Sequence, residues 1–338
     1  MRSFLFVLWW NISLDWFSLP PHPTTSRRMS FASYAVKDTR PCIALVTGAR
    51  SGIGKALANK IAEFPFITTV VAVSRSIKAS DEVVASSAKV IPLAADVGTK
   101  EGRQLVVDRV RTLCHDNQHQ QQQLRYLIHC AGTIDPIKPA LDVSPEEMRH
   151  AMTVNCEAPY FLSTALYPYM VPFETEGDGQ VSGRILHVSS GAAHGAPPVG
   201  WSVYGITKAA FFQSFKVLER EFRHLGGKVL VGSFKPGVVD TSMQATIRDA
   251  PADSMPIVGN FQGMKDRMEV KPVAKARPPP KGALDSPDNV AMFAEWLLLG
   301  TTDEEFCNKD DANEYDIRDA SLYSRWIPEE NLPKEEEK

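Results

Sequence analysis

CIALVTGARSGIGKALANKIAEF, residues 42–64, decides the fold. CIALVT (42–47) is a short apolar run ending at a glycine, and GIGKALANKIAEF (52–64) repeats apolar residues at helical spacing. Between them TGARSGIG (47–54) carries Gly48, Gly52 and Gly54 in a GxxxGxG spacing. Such glycines let the backbone turn tightly and approach a pyrophosphate. The helix that follows offers unpaired N–H groups and a positive dipole end to an anion. A plain strand-to-helix turn would look similar, but the place after the first strand points to a nucleotide. Gly48, Arg50, Ser51, Gly52, Ile53 and Gly54 are therefore candidate cofactor-binding residues.

Outward from that turn, strands and helices alternate. TTVVAVS (68–74), KVIPLAA (89–95), RYLIHCAG (125–132), GRILHVSS (183–190), KVLVGSF (228–234) and NEYDIRD (313–319) read as strands. Residues 101–113, 144–170, 201–223 and 286–300 read as helices, the second opening with Ser144 three residues before Glu147, a capping-box signature. Strands apolar on both faces and alternating with helices imply an α/β fold. The expectation is one Rossmann-type, doubly wound parallel sheet with helices on both faces, spanning 41–325. Residues 326–338 read as a charged tail, and NQHQQQQ (117–123) as a surface insertion. The stretch 248–283 is rich in Pro, Met and charge with weak periodicity, and reads as a long mobile loop, about 245–284.

The end of the second strand bears on cofactor choice. An acid there holds the ribose hydroxyls of NAD, whereas an Arg accommodates the extra phosphate of NADP. Here the strand ends Ser74-Arg75-Ser76, with no acid before Asp81. Arg75, with Arg50 nearby, favours NADPH/NADP+.

Bulk properties exclude some classes. Of 338 residues, 43% are hydrophobic and the net charge is −3, so nothing suggests a nucleic-acid partner. The five cysteines have no metal-type spacing and are odd in number, which favours reduced thiols and a cytoplasmic location. No metal site is expected. The apolar run in MRSFLFVLWW is too short to span a bilayer, and no integral membrane segment is expected. Residues 1–40 read as an N-terminal extension. For residues 1–28 the open readings are disorder, an over-extended reading frame with its start at Met29, or a mitochondrial presequence.

GWSVYGITKAAFF (200–212) places Tyr204 and Lys208 one helical turn apart on one face. Alone, that spacing equally describes a surface Tyr and a Lys reaching water. Together with the other segments it resembles the short-chain dehydrogenase/reductase family. TGARSGIG matches that family's TGxxxGxG, and Asp96 in AADV resembles the Asp that contacts adenine. HCAG (129–132) stands where the family has NNAG, with His129 departing. VN (154–155), SS (189–190), YGITK (204–208) and PGVVDT (236–241) complete the set. The match covers roughly residues 42–319. GWSVYGITKAA and PGVVDTSMQ are most similar to the sepiapterin reductase and benzil reductase branch.

The resemblance implies an enzyme that reduces a ketone, diketone or pterin side-chain carbonyl with NADPH. Tyr204 would be the general acid. Lys208 would lower its pKa and hold the nicotinamide ribose. Ser190 would polarise the carbonyl, and Asn155 would hold a water that links Lys208 to solvent. The family serine usually lies thirteen residues before the tyrosine, a place taken here by Gly191. A one-residue insertion leaves Ser190 as the choice and Ser189 as the fallback. Val97, Ala131, Gly132, Pro236, Gly237, Val239 and Thr241 join the cofactor-binding set. Trp201 and Met243 are expected at the substrate, with Met255, Phe261 and Met264 nearby. Asp316 in EYDIRD would stand where sepiapterin reductases anchor the pterin. His187 and His194 read as packing or loop residues. Family members commonly pair, so a homodimer or homotetramer is expected. An NADP-dependent alcohol dehydrogenase running the reverse reaction, or an NADPH-binding sensor without turnover, are the other readings.

Overall fold

A computed structural model of the chain describes residues 40–115, 122–172, 182–268, 274–307 and 314–333. The N-terminal extension, most of the glutamine-rich insertion and the last charged residues lie outside these ranges.

The elements follow the chain as β1 (Cys42–Thr47), α1 (Gly52–Ala62), β2 (Ile67–Ser74), the short α2 (Glu82–Ala85), β3 (Val90–Ala94), α3 (Lys100–Cys114), β4 (Gln123–His129), α4 (Pro145–Met152), α5 (Ala158–Met170), β5 (Gly183–Val188), α6 (Ser202–His224), β6 (Val229–Lys235), α7 (Ser242–Arg248), α8 (Val258–Asp266), α9 (Pro287–Glu295) and β7 (Tyr315–Asp316). The seven strands pair in the order β3-β2-β1-β4-β5-β6-β7, every pair parallel.

Alternation along β1 shows how the layers form. Cys42, Ala44 and Val46 face one core, built with Leu57 and Ile61 of α1 and Val290 and Phe293 of α9. Ile43 and Leu45 face the other, built with Val106 of α3, Leu162 and Leu166 of α5, and Phe215 and Leu218 of α6. Both faces are buried because helices cover both, as the unbroken apolar strands imply. Each fully buried Leu, Ile or Phe contributes roughly 1.5–3 kcal/mol.

Three stretches differ from the sequence reading. The segment 144–170 is one helical path broken by a wide turn, Thr153–Glu157, in which the Ala158 N–H reaches back to Thr153 O. Asn155 sits inside that π-turn, 1% exposed. Apolar periodicity of 3.6 residues per turn passes over such a bulge, although π-turns often mark functional sites. Within the stretch read as a loop, α8 forms, with Met255 and Phe261 buried against Tyr204 and Ile247. Its apolar residues are few and widely spaced, so the helix depends on that contact more than on its own periodicity. Trp326 and Ile327, read as the start of the charged tail, belong to the α1/α9 core, where Trp326 packs edge-on against Phe293. No helix among the described residues is long and apolar enough to cross a membrane.

Candidate active site

The strand order reverses between β1 and β4, and the crevice at their carboxyl ends is where such sheets bind ligands. The Thr47 hydroxyl oxygen ties the two ends together by accepting from the N–H groups of Cys130 and Ala131 at 3.2 and 3.1 Å. Gly48 turns there with φ 70°, and a side chain on it would meet Ala131 N at 2.8 Å. A Cβ on Gly54 would lie 2.3 Å from Gly48 O, so α1 starts close against the strand end. The cradle fits a dinucleotide pyrophosphate, because only bare backbone lets the phosphate and the helix N-terminus meet.

A cleft of about 370 Å³ runs from this turn past Arg75, Asp96 and Val97 to Ala131, Gly132 and Thr241. Gly48, Ser51, Gly52, Ile53 and Gly54 also line it. Asp96 accepts from Gly98 N at 2.9 Å, which shapes that end of the cleft. Arg75 is exposed at the cleft wall, and the acids in that wall are Asp96 and Asp135, not a residue at the end of β2. Arg50 departs from expectation. Its guanidinium bonds Asp81 at 3.3 Å and Ser76 at 3.1 Å, and it lines neither cleft. Asp81, distant in the sequence, draws it away.

A second cavity of about 320 Å³ continues from the first and holds the candidate catalytic side chains. Ser190, Tyr204, Lys208, Pro236, Gly237, Val239, Thr241, Trp201 and Met243 all line it. Tyr204 is 7% exposed, and the Trp201 ring stands edge-on to it at 5.6 Å. Burial pushes the Tyr204 phenol up, a hydrogen bond with Ser190 works against that, and Cys130 adds to the rise. Lys208 lies one turn further along the same helix. Its ammonium stands 5.9 Å from the Tyr204 ring centre and donates to Val188 O at 3.2 Å. Burial lowers Lys208 itself to about 8, with Cys130 and Glu314 pulling it back up.

Both serines line the cavity. Ser190 accepts from Ala192 N at 3.2 Å. The Ser189 hydroxyl is buried without a partner among the described residues.

Asn155 lines neither cavity. Its amide exchanges two hydrogen bonds with the main chain of Thr133 (2.8 and 2.9 Å) and donates to Thr207 Oγ1 at 2.9 Å. Both of its donor hydrogens are thus committed, so the side chain clamps the exit of β4 to α6 and offers no free N–H to a water. His129 turns from the cleft to Ser163 (2.9 Å), and its burial lowers it to about 3, so it is neutral. His187 stacks on Phe211 at 4.3 Å. His194 bonds the buried carboxylate of Glu314 at 2.6 Å, and Ser233 donates to the same group at 2.7 Å.

Asp316 does not reach the cavity. Arg318 holds it through Nε and Nη2 at 3.1 and 2.9 Å, and Lys235 approaches it at 3.4 Å. Arg318 lines the cavity in its place. Sequence reasoning also missed His150 in the first cleft, and Gln244 and Ile247 in the second. The last two follow Thr241, the N-cap of α7, one turn apart, and that spacing was a usable signal.

Comparison with known proteins agrees with this geometry. The profile of the short chain dehydrogenase family matches residues 42–252. A benzil reductase ((S)-benzoin forming) of Bacillus cereus is 26% identical over 254 residues, covering 75% of this chain and 92% of that protein. An NADPH-dependent aldehyde reductase-like chloroplastic protein of Arabidopsis thaliana is 27% identical, covering 60% and 73%. A crystal structure of a short-chain dehydrogenase/reductase from Saccharomyces cerevisiae superposes with a TM-score of 0.66 at 20% identity, over 85% of this chain and all of that one. With its glycine turn, its tyrosine–lysine helix and its parallel sheet in one cleft, this chain belongs to the short-chain dehydrogenase family of oxidoreductases.

Proposed function

We propose that the protein reduces a ketone, diketone or pterin-like side-chain carbonyl to an alcohol with NADPH. The observation that carries this reading is the buried Tyr204 phenol, its pKa pushed up by that burial, lining the same mostly apolar cavity as Ser190 and Lys208. A phenol that keeps its proton suits donation to a forming alkoxide, whereas oxidation of an alcohol needs the phenolate first. When bound, the dinucleotide supplies the hydride. The glycine turn would hold its pyrophosphate, and Pro236, Gly237 and Thr241 its nicotinamide end. Ser190 would donate to the substrate oxygen as charge builds there. Lys208 would place a positive charge behind the phenol as its proton leaves. Arg75, with no competing acid at the end of β2, supports NADPH over NADH. The names of the benzil reductase and the NADPH-dependent aldehyde reductase-like relatives agree with both halves of the reading.

The test is to follow oxidation of NADPH and of NADH with benzil, sepiapterin, an aliphatic diketone and a simple aldehyde. Turnover of at least one carbonyl, faster with NADPH, is the expected result. Binding of NADPH without turnover across the panel would sink the reading.

The Lys208 shift makes a second measurable claim. Its folded pKa, about 8, lies below its ordinary value of 10.5. Below pH 8 the folded and unfolded chains both hold the proton. Between about 8 and 10.5 the unfolded chain holds more protons, so this group makes the fold more stable as pH rises. Activity runs the other way, because the charge behind Tyr204 is lost. We expect kcat/KM to fall above an apparent pKa near 8. A rate profile that stays flat well above that pH would refute the role given to Lys208.

A further inference from the structure

The substrate's own chemistry can be read from the cavity wall, on the assumption that the carbonyl-reductase reading holds. Most of that wall is uncharged, including Pro197, Trp201, Val238, Ile247 and Phe261. Two lining residues carry charge, Lys208 and Arg318. Lys208 is buried on Val188 O beside Tyr204 and serves the reacting carbonyl. Arg318 is different. Its side chain is 54% exposed, and its stem lies over the Pro236-Gly237 turn, where a methyl on Gly237 would stand 3.8 Å from Cδ.

The guanidinium spends one edge on Asp316, through Nε and Nη2. Among the described residues, nothing accepts a hydrogen bond from Nη1. Asp316 does not cancel the local charge, because Lys235 shares the same carboxylate at 3.4 Å. Asp319, the next acid along the chain, bonds Ser321 and not the guanidinium. Glu314 is turned inward to Ser233 and His194, and Asp240 is held by Lys265 at 2.6 Å and Arg248 at 3.6 Å. An apolar cavity with a proton donor inside and a guanidinium in its wall selects a particular shape of molecule.

We propose that Arg318 is a specificity residue that binds a carboxylate on the substrate, which is therefore an aromatic or bulky apolar keto acid. The ring system would lie against Trp201 and Phe261, the carbonyl at Ser190 and Tyr204, and the carboxylate on the free N–H groups of Arg318. A guanidinium matches a carboxylate in geometry and charge, and such bonds are stronger than neutral ones. An acid at this place would favour substrates that donate hydrogen bonds; here the acid faces the arginine and the arginine faces the cavity.

The experiment compares aromatic keto acids, with short and long spacers between carbonyl and carboxylate, against their neutral methyl esters. Initial rates of NADPH oxidation are measured for the full chain, Arg318→Met and Arg318→Lys. The wild-type protein should prefer at least one acid over its ester by about tenfold or more in kcat/KM, the equivalent of one charge-assisted hydrogen bond. Arg318→Met should erase that ratio mainly through KM for the acid, and Arg318→Lys should restore part of it. Preference for the esters in the wild-type protein would overturn the inference while leaving the reductase reading intact. So would an Arg318→Met variant that loses both substrates in equal proportion. Turnover of neither acids, esters nor the simple carbonyl panel would remove the reductase reading itself, and the inference with it.

Discussion

Tyr204→Phe is expected to lower kcat/KM for every accepted carbonyl by roughly 10²- to 10⁴-fold, the usual range for loss of a positioned proton donor. The change removes one oxygen and leaves the ring. The ring's contacts with Trp201 and with the Ile134, Ile247 and Phe261 cluster stay in place. Ser190 keeps its bond from Ala192 N, so its loop has an anchor without the phenol. Because the phenol is buried, removing it also spares the fold a desolvated hydroxyl. Stability should therefore change little, and any loss of rate reports on chemistry. Steady-state rates with a thermal melt of the same sample decide the matter. A variant within about threefold of wild-type activity would mean that some other group delivers the proton.

The second large effect concerns Gly54→Ala. Helix propensity alone predicts a gain of up to about 1 kcal/mol, since Gly54 lies inside α1. Steric contact opposes that gain and outweighs it. The new methyl would sit 2.3 Å from Gly48 O and 2.7 Å from Gly48 C, both main-chain atoms. Neither can retreat freely, because Gly48 is itself packed against Ala131. Overpacking of this kind costs about 1–3 kcal/mol. The helix start must also tilt from the strand end, which spoils the phosphate cradle. We expect a lower Tm and dinucleotide binding weakened by more than about tenfold, read by titration of NADPH fluorescence. An alanine variant that melts higher and binds equally well would show that the turn has slack that the contact distances deny.

The parts of this protein written in local pattern were legible in the sequence. All seven strands and the helices α1, α3, α6 and α9 follow from residue patterns that each segment displays on its own. The glycine turn, Tyr204 and Lys208 follow from spacing within one segment. What escaped depends on partners far along the chain. Arg50 was legible as a cation near the second strand, but its bond to Asp81 was not. Asp316 and Arg318 lie two residues apart, and only the position of β7 beside β6 decides which of them turns to the cavity. Glu314, buried between Ser233 and His194, shows no trace in a terminal segment that reads as polar. The helix α8 hid in a proline-rich stretch because its few apolar residues meet the cavity floor and not a continuous core.

The π-turn at Thr153–Glu157 has a consequence for how this chain tolerates insertions and deletions. A regular helix advances about 100° per residue, so one additional residue sets the phase of everything after it. Upstream of the turn the helix presents Ala151 inward, and within it Asn155 meets Thr133 and Thr207. Downstream, Leu162, Leu166 and Met170 present a different angular face to the sheet. The wide turn lets both faces be satisfied by one rod. Removing a single residue there would rotate the whole downstream segment and swing those three side chains away from the core.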